Sequence, residues 1–247
     1  MLHGLVRRMG TRRFLLLGLT AAALASGAAH AEQDGPSAAV LERARKASGG
    51  PAWSKLAGLH ETGVEDGQRY ERWVDLLRFG LRTEAETPNG GGKLVRGFNG
   101  FGAWSLLPHG FDRANAPAPT MTEALSEAYF AGYGYFFPSR FDVRIAYLGV
   151  RPSGGRSFDV LRIHPNGGEP REVWFDRKTG LPGRMVEVRG PRPMTVEMSD
   201  WKRSGSVLVP FRYVTTGGGL PKPLERRVEA ADVRRMEREM FSLPRPK

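Results

Sequence analysis

Three histidines, His60, His109 and His164, are the only imidazoles beyond residue 31. They stand far apart, with none of the His-x-His or His-x-x-x-His spacings that place two rings on one metal ion. Each reads as a strand or loop residue rather than a ligand. The chain has no Cys, which excludes a thiol nucleophile, a cysteine metal site, a disulfide and a lipid-anchored N-terminal cysteine together. There is no Gly-x-Ser-x-Gly elbow, and the remaining Ser, His and Asp residues have no spacing that assembles a triad. Gly90-Gly91-Gly92 and Gly217-Gly218-Gly219 lack a Walker motif and a following helix, so they read as flexible turns. The acid pairs Glu84/Glu86 and Glu237/Glu239 would have to face each other across a cleft at roughly 5–10 Å to hydrolyse a glycoside. An edge strand and a solvated tail account for them better. The expectation is a binding protein without catalysis, cofactor or metal.

The aromatic residues carry the positive signal. Tyr129, Phe130, Tyr133, Tyr135, Phe136 and Phe137 crowd nine positions beside Gly132 and Gly134. On one reading they seal the open face of a sheet. On the other they form a mobile lid over an apolar cavity, with Trp73, Phe98, Trp104 and Trp174 as candidate walls. Aromatic walls suit acyl chains because they bury area without leaving polar groups unpaired. Arg78 and Arg82 are candidate latches for a lid carbonyl or a ligand headgroup, with solvent exposure as the plainer alternative.

These side chains need elements to hold them. Gly35-Pro36-Ser37 opens a helix expected over 38–48, with Ser37 as N-cap, Gly49 as stop, and Val40, Leu41, Ala44 and Ala47 as its apolar stripe. A second helix follows Thr120-Met121-Thr122-Glu123, which has capping-box spacing. Elsewhere short β-branched and aromatic segments alternate with Gly, Asn, Asp and Pro. The clearest is 194–201, where Met194, Val196 and Met198 face one way and Thr195, Glu197 and Ser199 the other. Val207, Val209, Phe211 and Tyr213 repeat the pattern. Segments 142–150, 156–164, 171–176 and 183–190 join them through tight turns, and 58–64, 69–78, 79–87, 93–98 and 102–107 precede them. Short connections between consecutive strands imply an antiparallel meander rather than a parallel α/β sheet.

The N-terminus addresses the chain to the cell envelope. Arg7, Arg8, Arg12 and Arg13 precede the apolar run Phe14–Ala25, and Ala29-His30-Ala31 offers a small-x-small cleavage site. The run is about a dozen residues, too short to cross a bilayer of about 30 Å as a helix. Thr11-Arg12-Arg13-Phe14-Leu15-Leu16 also loosely matches a twin-arginine signal. Residues 1–31 are thus expected to be a cleaved signal peptide and 32–247 a single periplasmic domain, with its core over 38–216 and a C-terminal strand and tail over 217–247. Four of the 37 basic residues and none of the 26 acidic ones precede Glu32, leaving 33 against 26 and a net charge of +7. The charges are scattered, which suits a solvated basic surface, a membrane surface or an envelope protein. Nucleic acid is not an expected partner, and a monomer is expected.

Several short motifs, read in order, resemble one family. They are Gly49-Gly50 with Trp53, Trp73-Val74-Asp75-Leu76, Gly97-Phe98-Asn99-Gly100 and Trp104, then Glu127-Ala128-Tyr129 and Leu148-Gly149. Trp174-Phe175-Asp176, Thr179-Gly180-Leu181, Ser199-Asp200-Trp201 and Pro210-Phe211 complete the set. The chain resembles the superfamily of LolA, the periplasmic carrier of lipoproteins. It is most similar to exported bacterial proteins in which such a domain can precede a retroviral-type aspartic protease. That group favours Asp where Asn99 stands and Tyr where Trp201 stands. No Asp-Thr-Gly or Asp-Ser-Gly occurs, so the resemblance brings no peptidase. It implies a mainly β fold with helices (α+β), a strongly curved antiparallel sheet or incomplete barrel of about eleven strands with an N-terminal helix and an inserted helical lid. Its implied partner is an acyl chain, a lipoprotein or another amphiphile. The alternative is an interaction scaffold for another envelope protein, with a filled core.

Overall fold

The computed structural model describes residues 32–33, 35–88, 90–108, 119–187 and 192–244. The expected signal peptide, His109 and the end of the 183–190 segment lie outside the described residues. The described strands form one open sheet. In chain order they are β1 (Glu32–Gln33), β2 (Gly58–Glu65), β3 (Gln68–Asp75), β4 (Leu81–Glu86), β5 (Lys93–Phe98) and β6 (Ala103–Leu106). After the second helix come β7 (Val143–Ser153), β8 (Arg156–Pro165), β9 (Arg171–Asp176), β10 (Pro182–Glu187), β11 (Met194–Ser204), β12 (Val207–Gly217) and β13 (Leu224–Val233). The spatial order is β1-β7-β8-β9-β10-β11-β12-β13-β2-β3-β4-β5-β6.

Every pairing is antiparallel except that of β1, two residues long, which runs parallel to β7. β13 lies between β12 and β2 and so fuses the early and late strand sets into one surface. Register shifts between Tyr147 and Val150, Pro182 and Arg184, and Val228 and Ala230 bend the strands they interrupt. The two ends of the sheet, β1 and β6, do not meet.

Helix α1 spans Gly35–Ser48, starting three residues before the expected position, so Ser37 is not the N-cap but a buried residue of the first turn. Pro36 is compatible with that start because the first helical turn has no use for its missing N–H. Val40, Leu41 and Ala44 face the core as expected, and Ser48 is buried with them while Ala47 is half-buried. Ser48 Oγ donates to the Ala44 carbonyl at 2.9 Å and accepts from Trp53 Nε1 at 2.9 Å. That bond satisfies the polar edge of an indole with no solvent exposure at all. Helix α2 spans Met121–Ala131 and carries the full capping box: Thr120 Oγ1 accepts from the Glu123 amide, and the Glu123 carboxylate accepts from the Thr120 amide.

Alternation sorts the side chains onto two faces. The concave face holds the main core, in which α1, Trp53 and residues 124–137 pack on Leu59, Val74, Leu81, Phe98, Val173 and Val209.

Candidate functional site

The aromatic cluster divides the concave side in two. Tyr129, Phe130, Tyr133, Tyr135, Phe136 and Phe137 are all between 0% and 7% exposed. Trp53 packs against Tyr133, Phe136 and Phe137 with ring centroids 4.9, 5.3 and 6.4 Å away, and Tyr135 meets Phe175 edge-on at 5.9 Å. This half of the bowl is filled. The glycines serve close packing: a Cβ on Gly134 would stand 2.4 Å from the Tyr129 ring.

The other half is open. A groove of about 700 Å³ runs between α2 and the inner face of the sheet, and a second cavity of about 240 Å³ continues beneath α2 over β4 and β5. Strands β9, β10 and β11 supply Val173, Met185, Met194, Val196 and Met198, and α2 supplies Phe130 from above. The opposite wall is polar, with Glu65, Arg72, Arg96 and Arg226. Arg72 reaches Glu127 on α2 at 3.3 Å and Glu61 at 3.6 Å. Arg171 and Glu187 pair across β9 and β10 at 3.7 Å. A Met- and Val-rich wall, interrupted by the Arg171–Glu187 pair, facing a charged one suits a molecule with an apolar and a polar end.

Arg226 lies against the Tyr213 ring at 3.9 Å and the Tyr70 ring at 5.8 Å. Burial pulls its basicity down, but Glu61, the two tyrosine hydroxyls and Glu65 outweigh that and hold it above the ordinary guanidinium value. The Tyr213 and Tyr133 hydroxyls bond to each other, tying the groove wall to the aromatic cluster. Burial raises both hydroxyls above the usual phenol range, as it does those of Tyr70, Tyr129 and Tyr135.

The expected wall residues do not share one surface. Phe98 is in the concave core at 3% exposure, and Tyr133 and Tyr135 border the groove. Trp73, Trp104 and Trp174 all lie on the convex face, because each stands out of phase with the inward residues of its own strand: Val74, Ala103 and Val173. Trp73 stacks on His60 with centroids 5.3 Å apart, and Trp174 meets Phe158 edge-on at 5.9 Å. Trp104 covers Gly97, where a Cβ would stand 2.1 Å from its ring, and its Nε1 donates to the Phe241 carbonyl at 2.9 Å. Arg78 and Arg82 do hold carbonyls, but those of Met236 (3.4 Å) and Met240 (3.1 Å) in the C-terminal segment strapped across the convex face. Neither reaches the groove. Among the described residues no group of three or more His, Cys, Asp or Glu side chains is placed to hold a metal ion. No helix there is long and apolar enough to cross a membrane.

The groove residues Met185, Thr215, Leu224 and Arg226 escaped the sequence reading. The available signal was alternation, which groups Met194, Val196 and Met198 on one face without saying that this face is left uncovered.

Comparison with protein-family models gives no match, and comparison with curated proteins gives none either. Solved structures do match. A LolA superfamily protein from Nitrosomonas europaea superposes with a TM-score of 0.55 at 12% identity, covering 83% of this chain and 97% of the other. A DUF1329 family protein from Desulfovibrio piger gives 0.52 at 12% identity, covering 83% and 96%. The fold is LolA-like, a curved half-barrel with helices in its hollow.

Proposed function

We propose that this chain binds the acyl part of an amphiphile, a lipid or a lipoprotein, in the groove beneath α2, acting as an envelope carrier or sensor rather than an enzyme. One observation carries the reading: beside a fully packed aromatic core, a volume of about 700 Å³ on the concave side stays unfilled under the inserted helix. That volume lies within the roughly 300–1,000 Å³ typical of small-molecule clefts. Its Met and Val wall would take hydrocarbon and its Arg and Glu wall a headgroup. Methionine suits chains of varying shape because its side chain is unbranched and flexible. The LolA-like fold is in keeping with this use.

A fluorescent fatty acid titrated into the chain beginning at Glu32 tests it. Binding at micromolar concentration is expected, and Thr215→Trp, which fills the groove from a half-buried strand position, should weaken it at least about tenfold without loss of fold. The packed Trp53 side favours the second reading, a scaffold for an envelope protein. Absence of binding to any amphiphile at micromolar concentration would leave that reading in place of the first.

A further inference from the structure

Two neighbouring turns at one end of the sheet carry apolar side chains out into solvent. Phe101, in the β5–β6 turn, is 78% exposed, and Leu77, in the β3–β4 turn, is 46% exposed. Both turns are built rigidly. The Asp75 carboxylate, buried at 2% exposure, accepts from the amides of Leu77 and Arg78 at 2.8 and 3.1 Å. The Asn99 side chain accepts from the amides of Phe101 and Gly102 at 2.9 and 2.8 Å. The turns touch, since a Cβ on Gly100 would lie 3.5 Å from the Arg78 carbonyl.

The same rim gathers cations. Arg140 donates to the Leu76 carbonyl at 3.0 Å and lies 4.2 Å from the Phe137 ring centroid. Arg45, on α1, bonds to Ser54. Neither has an ion-pair partner among the described residues, and the two are close enough to repel. Burial first, and then the charge of Arg45, pull Arg140 below its ordinary value. Arg78 adds a side chain 45% exposed, ion-paired to the buried Asp75 and bonded to the Met236 carbonyl. The carboxylates on the neighbouring strap, Glu237 and Glu239, flank another arginine, Arg238. Like charges kept together beside rigidly presented apolar tips cost free energy in water that an anionic, apolar-cored partner would return.

We propose that this rim is a membrane-docking edge, with Phe101 and Leu77 entering the interface of an anionic lipid surface and Arg45, Arg78 and Arg140 meeting its phosphates. A bilayer fits better than a folded acidic protein because the exposed apolar residues are single side chains on adjoining turn tips rather than an extended apolar face. Insertion of isolated side chains needs no complementary pocket. The site lies at the opposite end of the strands from the β2–β3 and β12–β13 turns and is independent of the groove.

The test is vesicle co-sedimentation of the chain beginning at Glu32, which contains every described residue and lacks the apolar N-terminal run. Vesicles of phosphatidylcholine, with and without about one part in three of phosphatidylglycerol, supply the two surfaces. Binding to the anionic vesicles, weakened by salt, is expected. Phe101→Ser and Leu77→Ser should each reduce it about tenfold, the value of one well-buried apolar side chain, and Arg45→Gln several-fold. Leu220→Ser, a half-exposed leucine in the distant β12–β13 turn, should leave it unchanged. Equal binding to neutral vesicles, no binding to either, or an equal loss in Leu220→Ser would overturn the proposal. None of these results bears on the fatty-acid titration.

Discussion

Replacing Phe136 with alanine distinguishes a packed aromatic core from a mobile lid. The ring is 4% exposed and is held between Trp53 at 5.3 Å, Tyr135 at 4.8 Å and the parallel Tyr133 ring at 6.1 Å. Removing a buried phenyl ring typically costs about 3–5 kcal/mol, and the cost is highest where neighbours cannot collapse into the space. Trp53 cannot move readily, being fully buried and tied to Ser48 through Nε1, and Tyr133 is tied to Tyr213. The expected loss is therefore about 4 kcal/mol. For a domain of this size each kcal/mol lowers the melting temperature by about 2–4 °C, so Tm should fall by about 8–16 °C. Urea unfolding followed by circular dichroism should show the midpoint moving with an unchanged slope. Phe101→Ala, at 78% exposure, provides the control and should shift stability by no more than about 0.5 kcal/mol. If Phe136→Ala costs less than about 1 kcal/mol, the ring does not belong to the core and residues 133–137 move as a lid.

Two further outcomes are open to measurement. Hydrogen bonds from Arg227, and then Arg212, hold the Glu225 carboxylate down from its ordinary 4.5 to about 2. A depressed acid stabilises the fold above its unfolded value, so this contribution should be lost as pH falls from about 4.5 through about 2; a carboxyl NMR titration with its midpoint at 4.5 would contradict the arrangement. Protein recovered from the envelope should begin at Glu32 by N-terminal sequencing, following the small-x-small site at Ala29-His30-Ala31, and an intact N-terminus on a cytoplasmic product would refute export.

The local features were legible from the chain alone because each depends on residues a few positions apart. Thr120 and Glu123 cap α2 reciprocally, as their spacing requires. Met194, Val196 and Met198 share a face because side chains alternate along a strand. Short turns between consecutive strands specified antiparallel pairing from β7 to β12. The strand ends at Asp75 rather than at residue 78 because the Asp75 carboxylate accepts from the Leu77 and Arg78 amides, a local turn that the apolar alternation does not reveal.

What tertiary structure decided was which face is inside. Alternation places Trp73 opposite Val74 and Trp174 opposite Val173, but both faces of this sheet are partly covered, one by the helices and the other by the C-terminal strap. Large aromatic residues are therefore compatible with either. The insertion of β13 between β12 and β2 joins the early and late strand sets into one surface, and its pairing with β2 joins residues more than 160 positions apart. A sequence pattern with a period of two carries no information about a contact at that separation. The groove depends on that long-range pairing, because its lining draws Glu65 and Arg72 from the early strands and Thr215, Leu224 and Arg226 from the late ones.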